Sequence, residues 1–520
     1  MALPKVINSD GIRKHTSVTF GGYDHNEAAQ DGAIWDMGNM TSDYYPILGS
    51  RLPRILAAEL GEPYAVYGHD GLYWVDGDGF YADGVKKGTV AKGEKRMAVL
   101  GASVVIFPDK KYYNTITGEF ASLTSSVQLT ASFENGTYAG EEAELNTISG
   151  SVVWDSYFKV GDAVTITGAK NADNNKTAVI REIDGGKLRF YEHAFVQESG
   201  SSITVSRDVP DLDFICSNEN RLWGCKGDTI YASKLGDATN WNVFDGISTD
   251  SYAVDVGSAG DFTACTSFLG YPVFFKEEAV YKVYGSKPSN FQVMGSATLG
   301  VEKGSHGSLA VAGETLFYLS RAGVMAYSGG IPQNIHRAFG LDRYHNAVGG
   351  SDGTKYYVSM ERDGEHTLFV YDTRYNVWHK EDHSEAVGFA WDGDLHMLTA
   401  QGKIVKIGNI RDGGGGQKEA YPDSFVEFAD FVEGDPNRKG TAKIQLRGET
   451  DEGCTLTVEM QFDSDGVWRE VAKISSPVKR SFYLPIIPRR SDHFKIRISG
   501  SDGAWRLYSL VRENYSGSEL

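Results

Sequence analysis

Hydrophobic and polar positions along this chain change over in short steps. Runs of four to seven apolar, aromatic or β-branched residues end again and again at Gly, Asn or Asp. The stretch 212–246 shows this most plainly: LDFICS, RLWGC, TIYAS and NWNVF follow one another, parted by polar turns at 218–220 and 226–228. The pattern predicts four short strands in a meander. A meander of about 35 residues cannot bury both its faces alone and needs neighbours.

The neighbours are in the sequence. AVYGHD, LYWVDG and GFYADG begin a unit near Pro63, and KRMAVLG, SVVIFPD, KKYYNT and GEFASL make a second that ends near Leu123. Four more follow the 212–246 stretch, beginning at FTACTSFLG, GSLAVAG, NAVGGSDG and AVGFAWDG. About seven units of roughly 30–45 residues predict a β-propeller, with six blades if the first two units are miscounted. The last unit lacks a clear fourth strand. TSVTF at 16–20 is expected to supply it, so that the two ends of the ring pair and no long edge stays free.

Other stretches break the rhythm. Residues 1–55 carry little periodicity and read as an extended N-terminal arm, lying against the following domain or a neighbouring subunit. The first part of the propeller covers 56–125. Residues 126–208 hold longer strands with polar alternate positions and predict an inserted small β-barrel or sandwich. The propeller resumes over 209–412. A Gly-rich linker spans 413–423, and seven alternating strands over 424–520 predict a C-terminal β-sandwich.

Composition sharpens this all-β reading. The 520 residues include 61 Gly, 28 Tyr and 25 Phe, which favours short strands and tight turns over helix. The net charge of −18 argues against a protein that coats nucleic acid, though an acidic wall suits DNA sliding past without sticking. Cys216, Cys225, Cys265 and Cys454 are too scattered for a disulfide scaffold or a structural zinc site; Cys216 and Cys225 fall on adjacent predicted strands and are expected to be buried thiols. The N-terminus shows no signal-peptide pattern and no apolar run approaches the roughly 18 residues of a membrane span, so a soluble chain made in a cytoplasm is expected.

Candidate chemistry is sparse. The segment 463–468, DSDGVW, is a partial Asp-box, read as a plain hairpin turn. Asp76, Asp78 and Asp83 are acidic, but their spacing does not match a calcium loop, and Asp-Gly turns are usual between short strands. No phosphate loop is present, and no strand-to-helix turn offers a nucleophile elbow. Paired carboxylates for glycoside hydrolysis stay open, since their spacing in space is not legible. No catalytic residue, metal ligand or cofactor is assigned, and the chain is expected not to be an enzyme. Arg480, Arg489 and Arg490 are read as a contact for an acidic neighbouring subunit, against the alternative of local salt bridges.

The segment 218–241, NENRLWGCKGDTIYASKLGDATNW, resembles the blade of bacteriophage tail and neck propeller proteins, with its Arg-Leu-Trp, Gly-Asp turn and closing Asn-Trp loop. FKEEAVYKVY at 275–284 and the stretch 304–327, with SRAGVMAYSG beginning at 320, are similar to further blades. NMTSDYYPILGSRLPR at 39–54 resembles their arm, and IIPRRSDHFKIRISG with the closing YSGSEL resembles their end. The resemblance covers arm, propeller and C-terminal domain, and the insert is not needed by it. It implies a DNA-stabilisation, hub or tail-nozzle protein of the virion tail, assembled in the bacterial host cytoplasm. Its implied partners are copies of itself in a ring, commonly six, the portal-adaptor and other tail proteins, and genomic DNA passing without sequence-specific binding. Tyr44, Tyr45, Arg51, Arg54, Arg480, Arg489 and Arg490 are the subunit-contact candidates. The alternative is a carbohydrate-binding or polysaccharide-degrading propeller, with Trp74, Trp223 and Trp241 stacking on sugars rather than filling blade interfaces.

Overall fold

Among the described residues strands account for almost all the regular structure, and helix is confined to short 3-10 turns. The computed structural model describes residues 12–27, 30–136, 146–190, 195–408, 416–434, 438–487 and 489–516. Residues 413–415 of the tetraglycine, most of the closing YSGSEL and Pro488 of the Ile-Pro-Arg-Arg corner lie outside them. The chain divides into two units, Met1–Asp70 with Gly304–Leu520, and Gly71–Lys303. No helix among the described residues is long and apolar enough to cross a membrane.

The first unit carries three four-stranded antiparallel meanders. One runs Ala310–Ala312, Thr315–Ser320, Gly323–Tyr327, Gln333–Asn334; the next His345–Ser351, Lys355–Arg362, Glu365–Asp372, Val377–Lys380. The third is Ala386–Asp392, Asp394–Thr399, Lys403–Ile407 and then Ile55–Glu59, with Gln417–Lys418 outside it. Their first strands lie side by side: His345–Ser351 between Ala310–Ala312 and Ala386–Asp392, and Ala386–Asp392 beside Pro63–Gly68. Second strands such as Thr315–Ser320 and Asp394–Thr399 are buried on both faces, because a sheet lies against each side. Outermost strands such as Gln333–Asn334 are exposed. That gradient from inner to outer strand is the arrangement of propeller blades.

The strand that completes the 386–407 blade is therefore Ile55–Glu59, not 16–20. Ile55 alternates inward, and the pairing runs from Ile55 opposite Lys406 to Glu59 opposite Lys403. The arm's first strand, Ile12–Ser17, pairs instead with the last strand of the chain, Trp505–Ser516. Its run of Arg13, Lys14 and His15 suits an exposed outer position, where charge discourages further pairing.

The C-terminal sandwich draws on both ends of the chain. One sheet holds Met40–Thr41, Leu48–Ser50, Trp505–Ser516, Lys439–Thr450 and Arg480–Tyr483 in that order, with Ile12–Ser17 and Arg490–Ser491 as further partners. The other runs Ile34–Gly38, Ser424–Phe428, Phe494–Ser501, Thr455–Phe462, Arg469–Ile474. Ile444, Leu446 and Leu507 from the first sheet share a core with Val426, Val458 and Ile496 from the second, and that core continues through Phe20 and Tyr23 of the arm to Phe369 and Trp378 of a blade.

The second unit has the same blade logic. Arg96–Leu100, Phe214–Asn218 and Ala264–Phe268 each begin a four-stranded meander, and Phe214–Asn218 lies between the other two. Leu72–Asp76, Gly79–Ala82 and Val85–Thr89 precede them. The segment 240–244, NWNVF, is not a strand; the fourth strand of its blade is Tyr252–Asp255, opposite Thr229–Ala232. Residues Ser125–Glu134 to Glu198–Arg207 form a closed six-stranded barrel around Phe133, Trp154, Ile166, Leu188 and Val205. The non-strand loop has a role there. Asn240 donates to Asp162 Oδ1 at 2.9 Å and accepts from the backbone N–H of Ala163 at 3.0 Å, while Trp241 packs among Leu100 and Leu222. The Gly-Asp…Asn-Trp motif thus seats the barrel on its blade.

Candidate functional site

Strict alternation in the five-stranded sheet of the sandwich sends Ile496, Ile498, Leu456 and Val458 inward and leaves a polar face outside. Register lines up that face. Asp36 lies opposite Glu427, Glu427 opposite Arg497, and Arg497 opposite Glu459. One row along, Phe425 lies opposite Ser499 and Ser499 opposite Thr457. The result is a groove of about 570 Å³ walled by Asp36, Asp423, Phe425, Glu427, Thr457 and Arg497.

Local sequence shapes it. Gly38 has no side chain because the ring of Phe425 lies across it; a Cβ there would come within 2.6 Å of that ring. Gly500 likewise leaves room below for Trp505, whose indole N–H donates to Ser424 Oγ at 2.7 Å and fixes the groove's end. Arg497 donates to Glu427 Oε2 at 2.7 Å and lies 4.1 Å over the ring of Trp468. Lys495 stands 3.9 Å from Glu427 Oε1 and 5.4 Å over Trp35, and Lys380 forms an ion pair with Asp36. Each lining carboxylate at the Asp36–Glu427 pair already faces a cation. The groove offers fixed acceptors, hydroxyls, a guanidinium and flat aromatic surface, which is the mixture that sugar hydroxyls and sugar ring faces require.

A second recess of about 220 Å³ is different in kind. Arg54, nearly buried, pairs with Glu381 at 2.7 Å and Asp382 at 2.9 Å; Arg51 pairs with Glu419 and lies 3.3 Å from Asp382. Beside them His379 is held down at about 3, first by burial and then by the Lys355 ammonium, against the pull of Asp43 and Asp372. This network ties the arm to the blades.

The sequence-predicted contact residues therefore separate. Arg51 and Arg54 are corrected: they are buried in ion pairs with the chain's own carboxylates and present no charge to a neighbour. Tyr44 is half-buried under Arg506 at 4.3 Å, and Tyr45 stacks on Tyr375 at 4.5 Å. Arg480 is exposed over Phe482, Arg489 is exposed over Phe462 and 3.7 Å from Asp465, and Arg490 lies opposite Gly440 at a sheet edge. Trp223 and Trp241 are buried in blade cores, and Trp74 stacks on Tyr81.

Asp78 pairs with Lys86, and Asp83 accepts the backbone N–H of Leu72, so both serve their turns. Among the described residues Asp463, Asp492 and His493 come within 4.8 Å of one another, a spacing that suits a cation. Both ring nitrogens of His493 are engaged, Nδ1 with Asp492 and Nε2 with Ser464 Oγ at 2.8 Å. All four cysteines are buried free thiols.

Sequence reasoning missed the groove. Trp468 ends the Asp-box-like turn, where it was read as part of a plain hairpin; the alternation in FKIRISG marks Arg497 as outward but not its neighbours. Asp36 and Phe425 stand almost 390 residues apart and meet only by strand pairing.

No family model matches the chain, and no curated protein does. Solved structures with a partly similar course include a putative exported protein from Bacteroides fragilis, 12% identical over 52% of this chain and 83% of that one, with a TM-score of 0.23. An exo-beta-1,3-galactanase from Phanerochaete chrysosporium is 10% identical over 56% of this chain and 92% of its own, with a TM-score of 0.21. The phage phi92 endosialidase is 8% identical over 80% of this chain and 64% of its own, with a TM-score of 0.22. Scores this low assign no activity. With a galactanase and an endosialidase among them, the expectation that the chain is not an enzyme is withdrawn.

Proposed function

We propose that this chain is a carbohydrate-binding β-propeller protein of a phage or a bacterium, and that it takes glycan into the groove on its C-terminal sandwich. One observation supports this above the rest. The row Asp36, Glu427, Arg497 is bordered by Phe425, so polar acceptors and a flat aromatic face stand in one open groove of about 570 Å³. Carboxylates and a guanidinium bind sugar hydroxyls in pairs, and an aromatic face packs on the apolar face of a pyranose.

The test is a polysaccharide and glycan array probed with the intact protein and with Arg497→Ala. Selective capture that the variant loses supports the reading; no capture of any glycan sinks it. A digestion assay on the captured polymer, run with Asp36→Asn and Glu427→Gln, reads out whether the opposed carboxylates also cleave.

A second reading keeps the protein in a virion tail, as a hub or nozzle ring below the portal-adaptor that prolongs the DNA channel and anchors other tail proteins. The resemblance of 218–241 supports it, together with the exposed Arg480 and Arg489. Cryo-electron microscopy of virions tests it: a ring on the tail axis supports this reading, and its absence from the particle removes it.

A further inference from the structure

The polar face of the five-stranded sheet holds its charges unevenly. Among the described residues each cation on it or against it is in an ion pair. Lys380 pairs with Asp36, Arg497 with Glu427 at 2.7 Å, Lys495 with the same Glu427 at 3.9 Å, and Lys473 with Glu470 at 3.3 Å. Two carboxylates are left over. Asp423 lines the groove and is exposed; Glu459 lies opposite Arg497, outside the lining. Neither has a cation partner among the described residues. The hydroxyls of Thr455, Thr457, Ser499 and Ser501, which also line the groove, make no hydrogen bond with another described residue. The groove thus keeps neutral hydroxyls and one anionic carboxylate free for a ligand, while its guanidinium is already taken.

Asp423 is held in place through the backbone. Its carbonyl oxygen accepts from Asn39 Nδ2 at 2.7 Å, and the next residue, Ser424, is buried and accepts from the Trp505 indole N–H. Ser424 lies opposite Gly500, so Asp423 falls beside Ser501, and Ser501 lies opposite Thr455. Phe425 follows two residues on, about 7 Å along the extended chain, and lines the same groove. That separation is the reach of one hexosamine ring with its amino group. We infer that the glycan taken by this groove carries free amino groups, with a sugar ring on Phe425 and its ammonium donating to the Asp423 carboxylate. The inference rests on the glycan reading of the groove and names the class of sugar. The same balance of charge disfavours acidic polymers, because no unpaired cation lines the groove to meet them.

The experiment uses the full chain and oligomers of one length: oligoglucosamine, its fully N-acetylated form, oligogalacturonate, and oligolysine as an amine without sugar. Isothermal titration at low and high NaCl is run on the wild type, on Asp423→Asn and on Glu459→Gln, with thermal melts showing that both variants are folded. The wild type is expected to bind oligoglucosamine about tenfold more tightly than the N-acetylated form at low salt, and to lose that preference as salt screens the contact. Asp423→Asn is expected to remove the preference. Glu459→Gln takes the same charge from the same face outside the groove lining, and is expected to change it by less than about twofold. Equal affinity for the amino and N-acetylated forms overturns the inference and leaves the glycan groove standing; no binding of any oligosaccharide overturns both. Oligolysine bound as tightly as oligoglucosamine, oligogalacturonate bound more tightly than either, or a preference that Asp423→Asn keeps or Glu459→Gln removes also overturns it.

Discussion

The barrel and the C-terminal sandwich are both β-domains attached to blades, yet they are built in opposite ways. The barrel is one contiguous stretch whose first residue, Ser125, lies opposite its last, Arg207, so the chain leaves and returns at one point. The sandwich is a clasp. It takes Ile12–Ser17, Ile34–Gly38, Met40–Thr41 and Leu48–Ser50 from one end of the chain and adds them to strands from 424 onward. An insertion with adjacent ends adds little constraint to its host, whereas a clasp makes each terminus a condition for the other. The largest expected effect follows. Deleting residues 1–54 removes strands from both sheets of the sandwich and should abolish its cooperative unfolding transition. Excising 126–206 and joining the ends with a short Gly-Ser linker should leave the remaining transitions in place. Circular dichroism melts compare them, and a truncated chain that melts like the full one breaks the contrast.

Next in size are the ion pairs that fasten each part. Arg54→Met leaves Glu381 buried with a weaker set of partners and should cost about 3–5 kcal/mol in urea unfolding. Arg207→Met strands Asp162, fully buried at the foot of the barrel, and should cost a similar amount, but in the transition of the barrel. If both losses appeared in a single transition, the two parts would not be independent.

Acid should separate the parts further. His379 is held neutral, its value depressed to about 3 by burial and then by Lys355. The unfolded chain takes up a proton near pH 6.5 and the folded one does not, so this stability is full above that pH and is lost as pH falls toward 3. Asp237, at the barrel's seat, behaves over a lower window. Burial alone would raise its carboxyl, but the Thr239 hydroxyl, the Lys159 ammonium, the Thr239 N–H and the Asn240 amide outweigh it and bring it to about 2. Its contribution, on the order of 2 kcal/mol, is present above pH about 4 and disappears between there and about 2. Urea midpoints from pH 7 to pH 3 should therefore decline first in the unit that holds His379, and His379→Gln should flatten that decline. Equal pH slopes in the two units would contradict it.

Much of the architecture was legible because it is local. Blade strands and their turns come from period-two alternation and from Gly, Asn and Asp at the turns, and within a blade each pairing joins neighbours in sequence. What stayed hidden is non-local. Ile55–Glu59 and Ile12–Ser17 look alike as short strands, and nothing within either says which one meets Lys403–Ile407. NWNVF has strand composition, but the barrel's Asp162 holds Asn240 in a loop. Arg51 and Arg54 look like surface charge until Glu381, over 300 residues later, folds against them. The groove fails to show for the same reason, since its row of side chains is a product of register between distant strands.

The smallest expected change in stability is at the residue that steadies Arg497 of the groove. Trp468 is half-buried and holds Arg497 by one stacked contact at 4.1 Å, an arrangement worth about 0.5–1 kcal/mol at an open site. Trp468→Ala should therefore leave the sandwich transition within about 1 kcal/mol of wild type. Capture of polysaccharide should fall by about tenfold or more, because the ring steadies the Arg497 guanidinium that lines the groove. The chain lacking 126–206 should bind as the full chain does, since no barrel residue lines the groove. Binding that survives Trp468→Ala but is lost with the barrel would move the site from the clasp to the insert and reverse the assignment of the two domains.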